Sequence, residues 1–248
     1  MIRGVIFDLG STLIRFRGKW SEVLAAGRSA MVEYLNQVGW TMDESAFIED
    51  MQATFEANFR ERRQDHRERS TRSLVLEVLG RQGAGSIEPE HFEEALRRMY
   101  APSEACWAPV AGAQEVLSQL TQRGHRLGLI SNASDEANVQ RLIDSAGLRP
   151  FFSPIVVSAA VGVRKPTPTL FQDVLRGWGI APQEAVMIGD MLGEDILGAQ
   201  RAGLHQIWVQ AEADPGFNQE HVGVVIPERT VPQLQDVIDA IQALDGRG

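Results

Sequence analysis

Gly4-Val5-Ile6-Phe7-Asp8-Leu9-Gly10-Ser11-Thr12-Leu13 is an apolar run that ends in a carboxylate and then breaks into Gly, Ser and Thr. Val-Ile-Phe is short, β-branched and aromatic, so it reads as a buried strand. Gly10-Ser11-Thr12 is turn material, which puts Asp8 at the carboxyl end of that strand. In open parallel sheets this edge is where ligands bind. One aspartate after one strand is common, so its meaning depends on what the rest of the chain supplies.

The 248 residues can bury a sizeable core, as one large domain or as a core with a smaller partner. The net charge of −9 disfavours a general nucleic-acid binder and broad attraction to anionic membranes. It also requires locally placed positive charge, or a metal, for any anionic substrate. Cys106 is the only cysteine, which excludes an intrachain disulfide and a cysteine-rich zinc cluster. The first strand meets an aspartate within eight residues, unlike a signal peptide. No apolar run approaches the roughly 20 residues that span a bilayer. The expectation is a cytoplasmic protein, present as a monomer or a homodimer.

Outward from the first strand the texture changes. Between about Lys19 and Tyr100 the apolar spacing is helical. Trp20, Val23, Leu24, Met31 and Leu35 mark a helix ended by Gly39. A second, capped by Asp43 or Ser45, carries Phe47, Ile48, Met51, Phe55 and Phe59. A third runs from about Ser70 through Leu74, Val75, Val78 and Leu79 to Gly80 or Gly83, and a fourth starts near Pro89. Four helices with short connections predict a small antiparallel bundle. From Pro109 strands and helices alternate. Strands are expected at His125–Ser131, Ile155–Val157, Ala185–Gly189, Gln206–Val209 and Val224–Ile226, with helices between them and a closing helix over Leu234–Leu244. Such alternation predicts a parallel sheet covered on both faces. The fold class is therefore α/β, with an all-α block inserted after the first strand and lying above Asp8. No internal repeat or low-complexity segment is present.

Four strand ends now carry polar groups in chain order: Asp8, then Ser131-Asn132, then Lys165-Pro166, then Gly189-Asp190 with Glu194-Asp195. The first, second and fourth follow apolar strands directly and so face one edge of a parallel sheet. Facing carboxylates repel unless a cation sits between them, and hard oxygen donors suit Mg²⁺. A metal, a lysine and a Ser/Asn pair neutralise a phosphoryl group. A carboxylate beside them can attack phosphorus.

With these motifs the sequence resembles the haloacid dehalogenase superfamily of hydrolases. The matching residues are Phe7 to Leu13, Leu129-Ile130-Ser131-Asn132, Arg164-Lys165-Pro166 and Gly189 to Asp195. The resemblance covers essentially the whole chain. It implies a Rossmann-like three-layer α/β core from residues 1–15 and 105–248, with a helical cap of the C1 type from 16–104. It further implies Asp8 as nucleophile and Mg²⁺ ligand, and Ser131 bonded to the transferring phosphoryl with help from Asn132. Lys165 would stabilise Asp8 and the phosphate. Asp190 and Asp195 would hold the metal, Asp195 in its outer shell with Glu194. The substrate would be a small phosphorylated metabolite.

One position departs from the pattern. Family phosphatases usually carry a second aspartate two residues after the nucleophile, as general acid and base; here that residue is Gly10. Its carbonyl can still bind Mg²⁺, but proton transfer, worth roughly 10²–10⁴-fold, is lost. Three readings follow: a phosphatase for substrates with good leaving groups or with an acid from water or the cap; a dehalogenase or phosphonatase; or a weak or inactive relative used for binding or regulation. Asp65, His66 and His91 are candidates for the missing acid, although each is ordinary at a surface. Asn58–Arg72 holds six arginines and three acids, more simply read as solvated ion pairs than as a phosphate-steering patch. Trp20, Trp40 and Trp107 are expected to pack, Cys106 to be buried, and Ser11 and Thr12 to satisfy turn groups.

Overall fold

The computed structural model describes residues 1–40, 43–83 and 87–246. The chain opens with β1 (Gly4–Phe7) and β2 (Ile14–Phe16), followed by the helices α1 (Trp20–Gln37), α2 (Glu44–Asp65), α3 (Thr71–Arg81) and α4 (Pro89–Glu104). Then come β3 (Trp107–Pro109), α5 (Ala113–Gln122), β4 (Arg126–Ser131), α6 (Glu136–Ser145) and β5 (Ile155–Val157). The rest is α7 (Ser158–Val161), α8 (Thr169–Trp178), β6 (Ala185–Gly189), α9 (Leu197–Ala202), β7 (His205–Val209), α10 (Pro215–Asn218), β8 (Arg229–Val231) and α11 (Val237–Asp245).

Six strands form one parallel sheet in the order β5-β4-β1-β6-β7-β8. The α/β expectation holds. From β1 the chain builds outward through β4 and β5, then returns to lay β6 on the other side of β1. That reversal is the switch point where doubly wound sheets bind ligands, and it brings the ends of β4, β1 and β6 side by side. Strand alternation divides the core into two layers. Val5, Phe7, Leu129, Val186 and Ile188 face one apolar cluster, and Ile6, Ile130, Ala185 and Met187 the other.

The helical block has its own apolar cluster, built on Met31, Val32, Leu35, Phe47, Met51, Val75, Val78, Phe92 and Leu96. Asp43 accepts the expected cap bond from Ala46 N, and Ser70, the expected start of the third helix, accepts one from Ser73 N. An antiparallel pair, β2 with β3, carries the chain out of the sheet and back. Phe16, Trp20 and Trp107 pack on this ladder, with the Phe16 and Trp20 rings stacked at 3.8 Å.

Two expectations are corrected. Val224–Ile226 is not a strand: only Val225 is buried, and the last strand is Arg229–Val231 instead. Three β-branched residues in a row lack a neighbour to pair with, so propensity yields to tertiary context. Cys106 is half-buried rather than buried, its sulfur lying against Gly18.

Candidate active site

Asp8 leaves β1 with its N–H donating to Ile188 O of β6, 2.9 Å away. The next residues turn sharply: Leu13 and Ile14 both donate to Leu9 O, and Ser11 takes a left-handed conformation at φ 58. This turn buries Thr12, whose hydroxyl reaches Asp190 Oδ1 at 3.3 Å. Asp190 follows β6 directly, and a π-helical turn at Leu192–Ile196 brings Asp195 back under it. Gly189 is required here, because a β-carbon would stand 2.2 Å from Asp195 Oδ2.

Lys165 lies at the centre, 1% exposed. Its ammonium donates to Asp8 Oδ1 at 2.6 Å and to Ile130 O at 2.8 Å. Asp195 Oδ1 is also 2.6 Å away, though not aligned for a hydrogen bond. Burial works against the lysine charge, but Asp195 and Asp8 outweigh it and hold the ammonium above its ordinary value. The carboxylates shift the other way. Burial, with repulsion from Glu194 and opposed by Lys165, raises Asp8. Burial followed by Asp8 and Asp195 raises Asp190 well above the usual carboxylate range. Asp195 is pushed up to about 7, mainly by burial and against the pull of Lys165.

Asp8, Asp190 and Asp195 each present a carboxylate oxygen within 4.8 Å of the other two. Three buried carboxylates against one ammonium leave two negative charges uncompensated, which is the condition a divalent cation relieves. The donor set therefore fits a hard metal ion. Asp195 shares this point but is also engaged elsewhere, with Oδ2 accepting from Met191 N at 2.9 Å.

The remaining expected residues divide. Ser131 ends β4 beside Asp8, and its hydroxyl makes no hydrogen bond among the described residues. The Asn132 side chain is fully committed. Its Oδ1 accepts from Lys165 N at 2.8 Å, and its Nδ2 donates to Lys165 O at 3.0 Å and Glu194 Oε2 at 2.7 Å. Gly10 follows Asp8 by two residues and pairs with Ile14. Asp65 caps Arg67 N, and His91 bonds to Tyr34 within the helical block. His66 meets the core through its carbonyl, which accepts from Arg164 N at 3.0 Å. The arginines of 58–72 are largely ion-paired, Arg62 with Glu68, Arg63 with Glu220, Arg69 with Glu77 and Arg72 with Glu93.

Two residues escaped sequence reading. Asn218, 2% exposed, donates to Asp190 O at 3.0 Å and accepts from Leu192 N at 2.7 Å, bracing the Asp190 loop together with Trp208 Nε1. Glu68 is a fully buried acid from the helical block that faces Arg164. Neither sits in a motif, and no spacing signal marks them.

Residues 2–203 match the family of haloacid dehalogenase-like hydrolases. A glyceraldehyde 3-phosphate phosphatase of Pyrococcus abyssi is 27% identical over 99% of this chain and 96% of its own. A phosphoserine phosphatase of Thermus thermophilus is 37% identical over 60% of this chain and 56% of its own. A solved 2-haloacid dehalogenase of Pseudomonas syringae pv. tomato superposes with a TM-score of 0.66 at 21% identity, covering 98% of this chain and 99% of its own, a likeness of fold. Motif order, sheet position and a family match over most of the sequence agree, and the chain belongs to the haloacid dehalogenase-like hydrolases.

Proposed function

We propose that this hydrolase is a phosphatase for small phosphate monoesters, with Asp8 as its nucleophile. The observation that carries the reading is the arrangement of Asp8, Lys165, Asp190 and Asp195 at the switch point of the sheet. Relatives named for phosphatase activity support it. Mg²⁺ would be held by Asp8, Asp190 and the Gly10 carbonyl, with Asp195 close by, and would supply charge neutralisation at the phosphoryl oxygens. A carboxylate oxygen of Asp8 attacks phosphorus, the ester bond breaks, and the alcohol leaves with a proton from water. Water then attacks the aspartyl-phosphate, releasing phosphate and restoring Asp8. Lys165 favours the ionised form of Asp8 against the effect of burial and offsets the charge that gathers on the phosphoryl group. Ser131 Oγ and the backbone N–H of Asn132 are the donors left for that group, since the Asn132 amide is used within the protein.

Residues 16–104 would serve as a cap that admits substrate and excludes water. The β2–β3 ladder pairs the chain at the first expected junction with the chain just after the second, which supports that division. The test is hydrolysis of p-nitrophenyl phosphate with Mg²⁺, abolished in Asp8→Asn. Metal-independent release of halide from a 2-haloacid would overturn the reading.

Gly10 favours a second reading, a relative that binds phosphate but turns it over weakly. It predicts Mg²⁺-dependent binding of a phosphate analogue with no hydrolysis above background, even of activated esters.

A further inference from the structure

Glu68 lies between α2 and α3, and its side chain is completely buried at a seam between the helical block and the sheet domain. The backbone there is laced across the seam. Glu68 N donates to Gly162 O at 3.0 Å, Arg164 N donates to His66 O at 3.0 Å, and Arg67 pairs antiparallel with Val163. The carboxylate is surrounded by partners from both sides. Arg62 Nη1 stands 3.3 Å from one oxygen, and Ser158 Oγ and Arg164 Nη1 stand 3.0 and 3.3 Å from the other.

From Glu68 two short routes converge on Lys165. In the first, Arg164 Nη2 donates to Glu194 Oε1 at 2.7 Å, and Glu194 Oε2 accepts from Asn132 Nδ2 at 2.7 Å. In the second, Ser158 Oγ accepts from Ala133 N at 2.9 Å, next to Asn132. Asn132 then holds Lys165 by its N–H at 2.8 Å and by its carbonyl at 3.0 Å. Glu68 is one of the two counter-charges of Arg164 and an acceptor for the Ser158 hydroxyl. Without it Arg164 becomes a buried cation with one counter-charge instead of two, and the network has reason to rearrange.

We propose that Glu68 is a positioning residue for Lys165. Carried by the helical block, it fixes Arg164, Glu194 and Asn132 and so the backbone on both sides of the lysine. Lys165 is then fully placed only when the helical block is seated. The effect on turnover rests on the phosphatase reading; the effect on the placement of Lys165 does not.

The test compares Glu68→Gln and Glu68→Ala with the wild type by residue-resolved amide exchange and by kinetics with p-nitrophenyl phosphate and Mg²⁺. Exchange at the Lys165 amide should rise about tenfold or more, while amides of β1 and β6 keep their protection. Unchanged exchange at Lys165, or a uniform rise everywhere, overturns the proposal. In the kinetics, kcat should fall about 10–100-fold, with KM within about threefold of wild type. In a Glu194→Gln background, which cuts the first route and leaves only the second, adding Glu68→Gln should lower kcat by a clearly smaller factor than it does in the wild type. Fully multiplying effects would mean that Glu68 acts independently and would overturn the proposal. A wild type inactive on every ester tested would remove the phosphatase reading alone, and exchange at Lys165 would still decide the role of Glu68.

Discussion

The indole of Trp107 stands beside Gly10, 3.6 Å from where a β-carbon on that glycine would lie, and among the described residues none but the chain neighbours of Gly10 comes closer to that point. Gly10 is not in a left-handed conformation, so a side chain can be accommodated there against the ring. The empty acid position is thus structurally open, and Gly10→Asp should fold. General acid catalysis matters most when the leaving alcohol is a poor one. Gly10→Asp should raise kcat/KM for alkyl phosphates about 10²-fold or more while changing aryl phosphates little. A plot of rate against leaving-group pKa reads this directly: steep in the wild type and flatter in the variant. A wild-type plot that is already flat would show that another group donates the proton.

Lys165 is the only cation in contact with Asp8 and Asp195 among the described residues. Lys165→Met keeps most of the volume and removes the charge, leaving the buried carboxylates facing one another. The metal-free variant should lose about 3–5 kcal/mol of stability, the range for breaking a buried ion pair from one side. Urea unfolding in EDTA measures the loss, and Mg²⁺ should recover part of it. Lys165→Arg should not rescue activity, because a planar fork does not replace a compact ammonium in a site this enclosed.

The raised carboxylates give the metal-free protein a definite pH dependence. Burial, reinforced by neighbouring charge, lifts Asp190 well above the usual range and Asp195 to about 7. A folded pKa above the unfolded one means that the folded state prefers the protonated acid. That contribution is present below the unfolded value near 4 and is lost as pH rises through the folded one. In EDTA the melting temperature should therefore fall between about pH 5 and pH 7.5. Mg²⁺ binds the ionised form, so its stabilising shift should grow over the same interval. Asp190→Asn should flatten the slope in EDTA and remove most of the Mg²⁺ shift. A Mg²⁺ shift retained in that variant would place the ion elsewhere.

What could be read in the sequence was local or periodic. The apolar runs of β1, β4 and β6 mark their own ends, which places Asp8, Ser131 and Asp190 on one sheet edge from the sequence alone. Asp43 announced its helix through cap chemistry. What could not be read depends on distant partners. Glu68 reaches Ser158 across 90 residues, and Asn218 reaches Asp190 across 28, so neither contact leaves a spacing signature. Val224–Ile226 carried strand propensity without a neighbour, whereas Arg229–Val231, with a charge and a threonine, gained one in β7. Asn132 shows the limit within a motif. Its position was legible, but only the geometry shows that its amide is spent on Lys165 and Glu194 rather than left for substrate.

Asn218 offers the cleanest test of support behind the metal ligands. Its hydrogen bonds go to backbone and not to the carboxylates: its amide carries the Asp190 carbonyl and the Leu192 N–H, and also reaches Asp214 O at 3.1 Å. Asn218→Ala leaves Leu192 N–H without its acceptor in a region closed to water, where one unpaired group costs about 1–3 kcal/mol. Asp190 keeps its other brace, Trp208, so the loop should loosen without unfolding. Groups that orient metal ligands from behind typically govern affinity by 10–100-fold. The dissociation constant for Mg²⁺, read from the concentration dependence of the melting temperature, should rise by about that factor. Saturating Mg²⁺ should restore kcat, because the ligands themselves are intact. A kcat that stays depressed at saturation would instead mean that Asn218 shapes the geometry of the bound state, and not only its occupancy.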